Sequence, residues 1–241
     1  MTRLAKLSPA GAAVKPTGPH TPSPVRGKGP WRWLPLAQWV PIRTLRERHR
    51  NRVRTHLLAL NARDRYLRFG YPANDDAIER YVAALDFERD EVFGIYNRHL
   101  QLVATSHVAY AETPPGQRFA EFAVSVVAAS RGRGYGARLF AHAVMHARNR
   151  GVDRMLIHAL SENVAMLRIA RKAGAQVQRD GGESEAWLQL PPDSLGSHVE
   201  ELVAAQAADL NYGVKQQGRH LEALGRKILA VGRRWRLRSR A

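Results

Sequence analysis

A single glutamate, Glu121, interrupts the apolar run RFAEFAVSVVA (118–128), and soon after it the chain reads Arg131-Gly132-Arg133-Gly134-Tyr135-Gly136. A carboxylate in such a strand is either a solvent-facing position or a base. A carboxylate held in an apolar setting can take a proton from a reacting group. The glycine run has physical content of its own. The first N–H groups of a helix lack internal partners and the helix dipole is positive there, so a strand that passes through glycines into a helix can hold a diphosphate. Three readings of the loop stand at this point: a phosphate cradle, a nucleic-acid contact, or a tight turn.

Two familiar phosphate motifs fit poorly. Gly132-Gly134-Gly136 is G-x-G-x-G, and Leu139 stands where the last glycine of the dinucleotide fingerprint G-x-G-x-x-G, counted from Gly134, belongs; no Gly-Lys-Ser/Thr follows for a P-loop. His142 and His146 lie four apart on the helix expected next, a spacing that can grip a metal. No H-E-x-x-H glutamate accompanies them and no third ligand is evident, so they read as surface or core histidines. The chain has no cysteine, which removes thiol nucleophiles, disulfides and Cys-based zinc sites.

These residues need elements to position them. The pattern predicts helices over 47–61 and 75–85, strands over 91–97 and 101–110, and the strongest strand over 118–128. A helix over 134–149, a strand over 154–160, and a helix opened by Ser161-Glu162-Asn163 and ended by Gly174 follow. Two short strands near 175–179 and 185–190 complete the core. Strands alternating with helices on this scale predict an α/β (α+β) fold, a mixed sheet with helices on its faces.

The net charge of +17 suggests nucleic acid until it is mapped. Residues 1–50 hold ten Lys/Arg against Glu47, and residues 213–241 hold nine against Glu222. The middle, 51–212, holds 19 basic and 19 acidic residues. The excess therefore sits in two tails and says nothing about the core. Residues 1–39 form a basic tail whose first thirty residues are rich in Pro and Gly and are expected to be disordered. Its end, WRWLPLAQWV (31–40), reads as a segment docking on the core or as a basic-aromatic contact surface. From 193 to 241 a basic helical extension is expected, with Leu221, Leu224, Ile228, Val231 and Trp235 as a coiled-coil-type stripe beside Gly218, Gly225 and Gly232. No apolar run approaches the roughly 20 residues needed to span a bilayer. The N-terminus lacks a secretory h-region, and its recurrent prolines would break a transit-peptide helix. The expectation is a soluble, cytoplasmic protein.

The loop, where it stands, resembles the R/Q-x-x-G-x-G/A acyl-CoA loop of the GNAT N-acetyltransferase superfamily. SENVAMLRIARKAGA (161–175) is similar to that family's second signature. AEFAVSV (120–126), Asn163 with Met166, and RYLRF (65–69) together resemble the acetyltransferase domain of bacterial Pat-type protein-lysine acetyltransferases. The resemblance covers roughly residues 40–192. It implies a GNAT fold, with a mostly antiparallel sheet of about six to seven strands. It also implies acetyl-CoA as acyl donor and a primary amine, protein lysine among the candidates, as acceptor. In that fold the strands at 118–128 and 154–160 would splay. Backbone groups of Val124, Ser125 and Val126 would pair with pantetheine in the gap, and one N–H would polarise the thioester carbonyl. Arg131 to Gly136 would take the pyrophosphate. Asn163 and Met166 would lie near the cofactor arm, with a helix cap as the other reading of Asn163. Glu121 aligns with the glutamate that Pat-type enzymes use as general base. The tyrosine that many relatives place in the second-signature helix is Ala170 here, which leaves Tyr110, Tyr135 or solvent as proton donors to the thiolate.

Two rival readings stay open. The tails could bind nucleic acid or an anionic surface on a GNAT scaffold with little catalysis. Alternatively, the chain could bind CoA without catalysis or form a homo-oligomer through its C-terminal helix.

Overall fold

The computed structural model describes residues 40–113 and 116–190, and the two tails lie outside the described residues. The expected strand at 118–128 is β4 (Gln117–Val126), and its alternation sorts the two faces of the whole sheet. Ala120 and Phe122 are fully buried, and Val124 and Val126 pack beside them. Glu121, Ala123 and Ser125 point to the opposite face, because successive strand residues alternate sides.

Among the described residues seven strands run in the order β1-β2-β3-β4-β5-β7-β6. They are β1 (Ile42–Leu45), β2 (Glu91–Tyr96), β3 (Leu102–Thr113), β4, β5 (Arg154–Leu160), β6 (Gln176–Asp180) and β7 (Glu183–Gln189). Every neighbouring pair is antiparallel except β4 and β5. A parallel pair requires a crossover, and α4 (Tyr135–Asn149) supplies it. The strand number and pairing match the sequence-based expectation.

One sheet face is covered by α4 and α5 (Val164–Lys172), where Phe122 meets Phe140 edge-on at 5.0 Å among Leu139, Met155, Ile157 and Ala170. The other carries α1 (Arg50–Leu58), α2 (Ala62–Phe69) and α3 (Asp75–Ala83). There Leu45, Val53, Leu57, Ile78 and Val82 form a second core. Each such burial contributes roughly 1.5–3 kcal/mol, so both faces are held apolar wherever no polar side chain is needed.

Two elements were not expected from the pattern. The strand β1 is four residues long at a sheet edge, too short for a period to show. Helix α2 has a weak apolar stripe, yet its ends carried a signal: Asn61 accepts the Asp64 N–H at 2.9 Å, and Gly70 closes it at φ 79°. The helix expected over 47–61 is divided, with a 3-10 turn at Glu47–His49 before α1.

Candidate active site

The ladder between β4 and β5 is brief. Only Phe119↔Arg154, Ala120↔Met155 and Glu121↔Leu156 pair. Beyond Leu156, β5 continues to pair with β7 as far as Leu160, while β4 runs on to Val126 alongside β3. The strands therefore part at Glu121, and the edge of β4 from Phe122 to Val126 faces a gap where a ladder would otherwise run. Backbone N–H and C=O groups along such an edge are ready to pair with an extended amide-bearing chain.

At the far end of the gap the glycine loop enters α4. Gly132 and Gly134 have φ of 74° and 73°, a region that suits glycine, and Gly134 caps the helix with no side-chain partner. The Arg138 N–H is bonded to the Gly134 carbonyl at 3.0 Å. The three amides before it, on Tyr135, Gly136 and Ala137, lie in the first turn, where a helix offers no internal acceptor. At Gly136 a Cβ would stand 3.2 Å from Ile169 Cδ1 of α5, a tight contact to which the isoleucine end would have to yield.

The expected site residues divide into distinct settings. Arg133 is exposed on the loop. Arg131 instead turns back: its Nη2 forms an ion pair with Asp64 of α2, and its Nε donates to the Val126 carbonyl at 3.4 Å. Ser125 Oγ meets His56 Nε2 of α1 at 2.9 Å, and His56 Nδ1 meets the Leu102 carbonyl at 2.9 Å. Because a carbonyl only accepts, Nδ1 carries the proton and Nε2 accepts the Ser125 hydroxyl. Burial pushes His56 down to about 4, with the Arg68 charge adding to it against the Leu102 hydrogen bond.

Asn163 is the N-cap of α5. Its Oδ1 accepts the Met166 N–H at 3.2 Å and its Nδ2 donates to the Leu67 carbonyl of α2 at 3.3 Å. Met166 itself lies in the α4/α5 core. Asn163→Ala is expected to cost about 1 kcal/mol, the usual loss for an N-cap. Chemical denaturation checks this, and an unchanged midpoint would refute the capping role.

Tyr110 is removed as a proton donor to this site. It faces α4, where its hydroxyl donates to Glu91 and the Arg150 guanidinium lies 4.7 Å above its ring. His142 and His146 are on that same side, packed against Phe93 with ring centroids 4.6 Å away. Among the described residues no group of three or more His, Asp or Glu side chains converges to hold a metal ion.

Sequence reasoning missed three polar residues on the Glu121 face: Tyr81 of α3, His107 of β3 and Asp90 before β2. They are bonded in line, Tyr81 Oη to His107 Nδ1 at 2.9 Å and His107 Nε2 to Asp90 Oδ2 at 3.0 Å. No motif links them. The one available signal was His107, a histidine in the middle of the strand LVATSHVAYAET.

A parted parallel pair with an uncapped glycine loop at its end and a carboxylate at its fork defines a class. A family model for the acetyltransferase (GNAT) domain matches residues 40–176, and the chain belongs to that family. It is an N-acetyltransferase, with an acyl-CoA as donor and an amine as acceptor. Among solved structures it is similar to the GNAT domain of PAT from S. lividans, 22% identical, TM-score 0.53, over 62% of this chain and 89% of that one. An N-acetyltransferase from Staphylococcus aureus Mu50 is 13% identical, TM-score 0.50, over 64% and 100% of the two chains. Spermidine N-acetyltransferase from Vibrio cholerae, in complex with CoA and spermine, is 14% identical, TM-score 0.50, over 63% and 95%. At these identities the likeness is one of fold. No curated protein matches the chain. Among the described residues no helix is long and apolar enough to cross a membrane.

Proposed function

We propose that this chain transfers an acetyl group from acetyl-CoA to a primary amine by direct attack, with Glu121 as the general base. The observation that supports it is the position of Glu121 as the last residue of β4 paired with β5, at the mouth of the gap. Pantetheine lying along Phe122 to Val126 would present its thioester beside that carboxylate. The pyrophosphate would meet the loop amides of Gly132 to Gly136 with Arg133. Arg131 would have to leave Asp64 to join it, so the loop backbone carries most of the binding. Acetyl is the donor group proposed, and lysine side chains of proteins are the acceptors to try first, given the resemblance to Pat-type domains.

Two measurements test the reading. CoA release is followed with acetyl-CoA and a panel of polyamines, amino acids, aminoglycosides and lysine peptides. At least one acceptor is expected to raise release above the amine-free rate, and none doing so would defeat the proposal. Acetyl-CoA is also expected to raise the melting temperature of the wild-type chain and not that of Gly134→Glu. A left-handed φ and a new negative charge both oppose binding there, so an equal shift would remove the loop from the site.

A further inference from the structure

Helix α2 packs against both β4 and β5, the two strands that part at Glu121, and it is fastened at three points. In its first turn Asp64 pairs with Arg131 of the glycine loop. One residue earlier, Arg63 Nη2 pairs with Glu162 Oε2 at 2.7 Å, just ahead of α5. Further along, the Leu67 carbonyl accepts a hydrogen bond from Asn163 Nδ2 at 3.3 Å. The helix is thus a strap, tied on one side to the loop and on the other to the entry of α5.

The ties are unequal. Arg63 and Glu162 are both exposed, and water screens such a pair. The Asp64 side chain is only 5% exposed, whereas that of Arg131 is 50% exposed. Asp64 Oδ1 takes the Arg131 guanidinium, and Oδ2 is buried with no hydrogen-bond partner among the described residues. Arg131 is also the one cation paired with Asp64 among the described residues, and its removal would leave a buried carboxylate uncompensated. Arg131 itself has an open side: it is half exposed on the loop, with its Nε donating to the Val126 carbonyl at 3.4 Å. A mobile cation is therefore held by a fixed, buried anion, at the end of the gap where the glycine loop begins.

We propose that Asp64 is a positioning residue that sets the affinity for acyl-CoA: it withholds Arg131 from the pyrophosphate while the site is empty, and the exchange of Arg131 from Asp64 to the pyrophosphate frees the loop end of α2. This role rests on the transferase reading above, in which the loop takes the pyrophosphate. One guanidinium serves two anions in turn. Apparent affinity for the donor falls by the fraction of molecules in which Arg131 is held, because only the released form has its charge to offer. Arg133, exposed on the same loop, needs no such release. When Arg131 departs, Asp64 is a buried charge without its cation, and water is the relief open to it. The first turn of α2 must loosen to admit that water. Donor binding at the loop is thereby coupled to a helix on the Glu121 face of the sheet, without Asp64 touching the thioester or the amine.

Calorimetric titration of the full chain with CoA and with acetyl-CoA tests the exchange. Asp64→Asn keeps the size of the side chain and removes the charge that holds Arg131, so its Kd is expected to fall about fivefold or more below that of the wild type. A merely structural role for Asp64 would weaken binding instead. Two causes would tighten it, release of Arg131 or loss of a negative charge near the pyrophosphate, and the double variant Asp64→Asn with Arg131→Gln separates them. The gain is expected to vanish in the double variant. A gain that persists there shows simple repulsion and overturns the exchange, as does a Kd for Asp64→Asn equal to or weaker than the wild-type value. Hydrogen exchange of the wild-type chain needs no variant: amides of residues 62–69 are expected to exchange faster with CoA bound. Slower or unchanged exchange in that helix overturns the coupling even if neither variant folds. A wild-type chain that binds neither CoA nor acetyl-CoA overturns the transferase reading and the exchange together. Wild-type binding with unaltered affinity in Asp64→Asn overturns the exchange alone.

Discussion

Glu121→Gln is expected to bind acetyl-CoA as the wild-type chain does and to lose about 10²–10⁴-fold in kcat with an amine acceptor, the usual contribution of a positioned base. The substitution preserves size and hydrogen-bonding shape at a half-buried strand position, so the β4 ladder on both sides stays intact. Only the ability to take a proton is lost. The remaining rate depends on the small fraction of acceptor that is already neutral, about one part in 10³ for a lysine-type amine near pH 7.4. The variant's rate should therefore climb about tenfold per pH unit while the acceptor titrates, and the wild-type rate should level off earlier. Matched pH–rate profiles with a thermal shift by acetyl-CoA measure both halves. A Gln variant with wild-type kcat would leave Glu121 as a solvent-facing strand residue.

The second large effect is on stability in mild acid. His56 is 2% exposed, and its imidazole is held at about 4 in the folded chain against 6.5 when unfolded. Its pKa is lowered by folding, so its contribution is fully present above pH 6.5 and is lost as pH falls towards the folded value, because the unfolded chain binds a proton that the folded one refuses. Each such group costs about 1.4 kcal/mol per pH unit across that window, so His56 alone removes roughly 2 kcal/mol between pH 6.5 and about 5. His142 acts in the same direction: burial first, then the neighbouring His146, push it down to about 3 against the pull of Glu91. Against a total stability of about 5–15 kcal/mol the combined loss is large.

Thermal melts should thus be flat from about pH 8 to 7 and fall steeply below 6.5. His56→Gln is expected to be less stable at neutral pH, having lost packing, but to show a shallower decline in acid. A melting temperature unchanged between about pH 7 and 5 would contradict the burial of a neutral His56. The site is exposed to the same transition. His56 bonds α1 to β3 through the Leu102 carbonyl and to β4 through the Ser125 hydroxyl, so its protonation puts a charge into the buried contact between α1 and the sheet.

Much of this molecule was legible before folding because its signals are local. The strand at 154–160 is found as read, since RMLIHAL has a strand's composition between clear breaks. The loop at Arg131 to Gly136 was legible because left-handed φ and close helix packing leave glycine as the fitting residue at fixed spacings. The tails' charge was equally plain, though the expected disorder, docking segment and C-terminal helix lie outside the described residues. Arg131 shows where locality ends. As a cation beside a glycine loop it reads as a phosphate ligand, but Asp64, far off in sequence, holds its guanidinium.

By itself the sequence determined that a strand ends in an anion-ready glycine turn, that one carboxylate sits in that strand, and that the chain has no cysteine to use as a nucleophile. Tertiary structure alone decided that β4 and β5 part at Glu121, and that Glu121 shares a face with Tyr81 and His107 while Tyr110 lies on the other. The reason is physical. Turn glycines and strand alternation are set by neighbours a few residues apart, whereas a gap and a line of hydrogen bonds exist only once strand register has brought distant residues side by side.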